Sequence, residues 1–85
     1  MGEYSKALSF LGNALEIYEK SLPSNHCYFA ETYDNIGQLY YKTRDYSKAL
    51  SFYERAVNIG QLSLPSNHPN LQGYKRNLEN VKKKL

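Results

Sequence analysis

Two stretches of this chain recur at one constant offset: YSKALSF at Tyr4–Phe10 returns at Tyr46–Phe52, and SLPSNH at Ser21–His26 returns at Ser63–His68. The same shift of 42 residues lays Ala14 on Ala56, Ile17 on Ile59 and Asn35 on Asn77. A period of roughly 20–50 residues marks a supersecondary unit that cannot bury its apolar face alone and gains its core by stacking on a neighbour. Two copies fill the 85 residues, so the fold has to be made by sideways stacking. The duplicated hexamer then reads as a junction. Pro23 and Pro65 stop one helix, and the polar pairs Ser24-Asn25 and Ser66-Asn67 lead into the next.

Between the junctions the apolar spacing is helical throughout, which predicts an all-α chain with helices at about 3–21, 27–43, 46–62 and 69–84. In the first, Tyr4, Leu8, Leu11, Leu15, Tyr18 and Leu22 step by three and four along one face, and Ala7, Phe10, Ala14 and Ile17 form a second stripe beside it. So wide an apolar surface calls for company on both sides. The second helix carries Phe29, Tyr33, Ile36 and Tyr40, with Ala30 and Gly37 as small neighbours. A mid-helix glycine costs about 1 kcal/mol relative to alanine, so Gly37 predicts the close approach of another helix backbone. Asp45 is placed to cap the third helix, in which Tyr46, Leu50, Tyr53 and Val57 face one way and Ala49, Phe52, Ala56 and Ile59 the other. Pro69 suits the first turn of the fourth.

Composition narrows the functional classes. A lone Cys27 forms no internal disulfide, which sets aside the secreted disulfide frameworks and predicts an intracellular, cytoplasmic chain. No signal peptide is read at Met1-Gly2-Glu3, and no apolar run approaches the roughly 20 residues that cross a bilayer, so no membrane partner is expected. The formal charge of +3 gathers in Lys75, Arg76, Lys82, Lys83 and Lys84. Cations at a helix C-terminus complement the helix dipole, and without a broad basic face they do not predict nucleic-acid binding. His26 and His68 occupy equivalent points of adjacent repeats, about 10 Å apart at helix-packing distance, and read as caps rather than metal ligands. Cys27 beside His26 lacks an orienting group, and Glu31 with Asp34 lacks a pocket. No catalytic residue and no cofactor are therefore expected.

Tyr33, Ile36-Gly37 and Tyr40 on one helix, followed by Tyr46, Ala49, Tyr53 and Ala56 on the next, stand in a register that resembles the tetratricopeptide repeat. The later position of Pro65, which lengthens the unit by about eight residues over the usual one, makes it similar to the longer repeats of kinesin light chain. The resemblance implies an α-solenoid of antiparallel helix hairpins, entered in the offset order second, first, second, first helix of a hairpin (B-A-B-A). The last helix departs from the pattern: Lys75, Glu79 and Lys82 occupy the slots of Tyr33, Gly37 and Tyr40, as in a polar terminal cap. The first helix keeps both apolar stripes. That open edge suits either the end of a longer array or a homo-oligomer formed through Tyr4, Leu8, Leu11, Leu15 and Tyr18.

The resemblance further implies a non-enzymatic scaffold that binds a protein or peptide along the concave face. Carried over by position, that face is Glu31, Asp34, Asn35, Gln38 and Tyr41, with Asn77 equivalent to Asn35. An asparagine amide both donates and accepts, so it can hold an extended backbone whatever the side chains, or it can bridge neighbouring helices. Asp34 stands where the chaperone-binding members carry a lysine, so an acidic C-terminal peptide is not expected; Glu31 and Asp34 favour a basic or neutral segment.

Overall fold

The computed structural model describes residues 2–21 and 27–85. It contains four helices, α1 (Gly2–Ser21), α2 (Cys27–Lys42), α3 (Tyr46–Ser63) and α4 (Pro69–Lys84), and no strand among the described residues. The first copy of the junction, Leu22, Pro23, Ser24, Asn25 and His26, lies outside them.

The α2–α3 turn is built by local hydrogen bonding. Arg44 takes the left-handed conformation at φ 66°, and its N–H donates to Tyr41 O at 3.1 Å while that of Asp45 donates to Tyr40 O at 2.9 Å. This pair of bonds closes the end of α2 as a Schellman motif, satisfying carbonyls that the last turn leaves open. Asp45 then caps α3, its carboxylate accepting from the Lys48 N–H at 3.4 Å. The second junction works differently. Leu64 N–H donates to Gly60 O at 2.8 Å to end α3, and His68 caps α4 by accepting the Asn70 N–H on Nδ1 at 3.1 Å. Pro69 follows in the first turn, where it lacks no needed N–H. His68 is thus a helix cap, and its counterpart His26 lies outside the described residues.

So short a turn returns α3 antiparallel to α2, and α4 packs onto both. Tertiary packing fills the angle between the three. Ala30, Ala56, Val57, Leu71 and Tyr74 form one buried cluster, against which Tyr33 and Leu78 pack; Ala49, Tyr53 and Val81 form the other, flanked by Tyr40, Tyr41 and Tyr46. Small residues let the helices approach, and rings fill the space between them. Phe52 of α3 stacks on Tyr40 at 5.6 Å and meets Tyr33 at 6.0 Å, with Arg55 lying 5.4 Å above the Phe52 ring. Gly37 is buried at this contact, where a Cβ would stand 2.7 Å from two ring carbons of Tyr53. The close neighbour is a side-chain ring, not the helix backbone that the glycine alone suggested.

α1 lies on the other side of α2 and touches no other described helix. Tyr18 sets its ring edge against Phe29 at 6.1 Å and beside Tyr28 at 5.7 Å. The outer surface of α4 is polar, with Lys82 3.9 Å from Glu79, whereas Leu71, Tyr74 and Val81 turn inward. No described helix is long and apolar enough to cross a membrane.

Candidate functional site

A groove of about 200 Å³ opens between α2 and α4, with Tyr53 of α3 as its floor. One wall is Gln38, Tyr41 and Lys42, the other Asn77 and Asn80. Helical spacing explains the set: 38, 41 and 42 share a face of α2, as 77 and 80 share a face of α4. Side-chain amides therefore line both walls, and a phenol forms the base.

Asp34 lies beneath this lining and is buried. Asn77 Nδ2 donates to its Oδ1 at 3.0 Å, and Gln38 Nε2 donates to its Oδ2 at 2.8 Å. Burial raises the Asp34 pKa above the ordinary 3.8, while the bonds from Asn77 and Gln38 lower it; burial prevails. The tyrosines around it respond to the same surroundings. Burial raises Tyr53 first and the charges of Asp34 and Tyr41 add to it; burial pushes Tyr74 up to about 12, helped by Asp34, Glu31 and Cys27. Both phenols are neutral donors through the physiological range.

The six residues expected on the concave face thus separate. Gln38, Tyr41 and Asn77 line the groove. Asp34 is the buried strut that ties α2 to α4, so its carboxylate is not presented to a ligand. Glu31 is exposed and is not part of the lining. Asn35 faces away, into a second cleft of about 370 Å³ that α2 forms with Ala7, Phe10 and Leu11 of α1. Gln38 and Lys42 border both spaces. Asn77 does bridge helices, but to Asp34 rather than to its repeat equivalent Asn35.

Three lining residues were not among those expected. Asn80 is Gln38 shifted by one repeat, so the offset that paired Asn35 with Asn77 identifies it too. Tyr53 carried the signal of a core residue and is one, and it also borders the groove. Lys42 follows Tyr41 directly and gave no separate signal. Of α1, Tyr4, Leu8, Leu11, Leu15 and Tyr18 are each half-buried, whereas Phe10 and Ile17 of the second stripe stand exposed.

Residues 1–61 match the tetratricopeptide repeat family. The chain belongs to that family. Its repeats are generally non-enzymatic and mediate protein–protein interaction. No curated protein and no solved structure matches the chain.

Proposed function

We propose that this tetratricopeptide repeat chain is an interaction module that binds an extended peptide segment of a protein partner in the groove between α2 and α4. The convergence of Gln38, Asn77 and Asn80 over Tyr53 carries the reading. Amides that donate and accept can hold a peptide backbone, and the ring of Tyr41 offers flat area at low entropy cost. The carboxylates that favoured a basic ligand do not line the groove, and Lys42 does; a neutral or mildly acidic segment suits it better. The lengthened unit supports a place among repeats of the kinesin light chain kind. Self-association through Tyr4, Leu8, Leu11, Leu15 and Tyr18 has less support, because these side chains are half-buried and Tyr18 already packs on α2.

A phage-displayed library of random peptides, selected on the folded chain and followed by fluorescence anisotropy of the selected sequences, tests this. One groove of this size buries little ligand, so dissociation constants of about micromolar or weaker are expected. Asn80→Ala and Tyr41→Ala each weaken binding about tenfold. The proposal fails if nothing is selected above background, or if the selected peptides bind both variants as well as the parent chain.

A further inference from the structure

The cleft between α1 and α2 is not explained by peptide binding on the other side of α2. Phe10 at its edge is 72 % exposed, and Ile17 along the same stripe is 63 % exposed. The internal repeat tells what such a surface accepts. Shifted by 42 residues, the walls Ala7, Leu11 and Leu39 become Ala49, Tyr53 and Val81, all buried in the core against Tyr40 and Tyr41 of α2. Phe10 becomes Phe52, which stacks on Tyr40 and meets Tyr33. Lys6 becomes Lys48, whose ammonium lies 5.4 Å over the Tyr40 ring. Asn35, exposed at the cleft, becomes Asn77, which donates to Asp34. Five residues that line this cleft, Ala7, Phe10, Leu11, Asn35 and Leu39, are thus the equivalents of groups that receive α2 in the second repeat, while Arg55, which lies over Tyr33, has Asn13 as its counterpart.

We propose that the cleft docks an α-helix of a protein partner with the pattern that α2 itself carries. The pattern is two aromatic residues seven apart, an acidic residue directly after the first, and a glycine or alanine four after it, as in Tyr33, Asp34, Gly37 and Tyr40. The aromatics cover Phe10 and the alanines of α1. The acid meets the Asn35 amide and the positive rim at Lys42, where no carboxylate of the described residues lines the cleft. A helix so placed lies along α2 and continues the existing stack, since Gln38 and Lys42 border both spaces. A second folded copy does not supply it. The aromatic stripe of α2 is turned onto α3, and α4 presents Lys75, Glu79 and Lys82 in the corresponding slots.

The probe is a fluorescein-labelled synthetic peptide of residues 27–42 carrying Cys27→Ser, titrated into the 85-residue chain while amide chemical shifts and light scattering are recorded. Saturable binding is expected, with shifts centred on α1 and the Asn35 side of α2. Phe10→Glu and, as a second variant should the first lose helicity, Ile17→Glu weaken it about tenfold or more, because a charge is buried without a partner. Alanine at Tyr33 and Tyr40 of the peptide does the same, whereas Asn58→Glu at an exposed site on α3 leaves binding unchanged. Absent binding, or equal binding to the Phe10 and Ile17 variants, overturns the proposal. So do shifts centred on α3, which signal exchange with the chain's own α2, and a dimer mass that Phe10→Glu returns to monomer.

Discussion

Two glycines in helical positions illustrate how little the residue type says without its surroundings. Beyond its chain neighbours and its own helix backbone, Gly12 of α1 has no atom of a described residue within 4 Å of where a Cβ would stand, whereas Gly37 of α2 has the Tyr53 ring at 2.7 Å. Tyr53 is 3 % exposed and cannot swing aside. Gly12→Ala should therefore stabilise the chain by about 0.5–1 kcal/mol through helix propensity and the unfolded-state entropy alone. Gly37→Ala gains the same propensity but overpacks a filled contact, and a net loss of about 1–3 kcal/mol is expected. Urea titrations of the two variants against the parent chain check the pair. Equal signs for both substitutions would show that the ring contact does not govern Gly37. Arg44 is a third residue whose backbone outweighs its type: the Schellman motif needs a left-handed residue there, and neither glycine nor asparagine supplies it.

Helix by helix, the packing is uneven. α2, α3 and α4 each bury several residues, while no described residue of α1 is buried. α1 rests on one neighbour through Tyr18 and its flanking aliphatics. Local opening follows buried contact, so the amides of α1 should exchange with solvent deuterium while α2–α4 stay folded, with protection about tenfold or more below that of α3. Equal protection in α1 and α3 would contradict this. A helix docked in the α1–α2 cleft should raise the protection of α1 selectively. The element pattern was legible from sequence because each cue is local: apolar residues every three or four positions, Asp45 as a cap, Pro69 in a first turn. The sector of α1 left outward was not legible, since two stripes of similar apolarity differ only in which of them α2 happens to cover.

For the molecule as a whole, Asp34 couples three helices: it sits on α2, accepts from Asn77 of α4 and faces the raised Tyr53 of α3. Its folded pKa lies above the ordinary 3.8, so the folded chain holds the proton more tightly than the unfolded one. That contribution is fully present below 3.8 and is lost as pH rises through the raised folded value. Asp34→Asn removes the titration and keeps one of the two acceptors, and the amide of Gln38 or Asn77 can turn over to accept from the new N–H. The variant should gain stability relative to the parent chain at neutral pH, and the gap in urea midpoint should close as pH falls toward 3.8. A gap that stays constant with pH would mean that Asp34 does not titrate on unfolding.

The sequence by itself determined the all-α class, the repeat of 42 residues and the sideways stacking of hairpins, because apolar periodicity, prolines and two recurring stretches are written in the order of residues alone. Tertiary structure alone decided which amide meets which cleft. Consecutive helical residues point about 100° apart, so Asp34 and Asn35 look into different sectors, and only the placement of α4 on one flank of α2 and α1 on the other made the first a buried strut and the second an open donor.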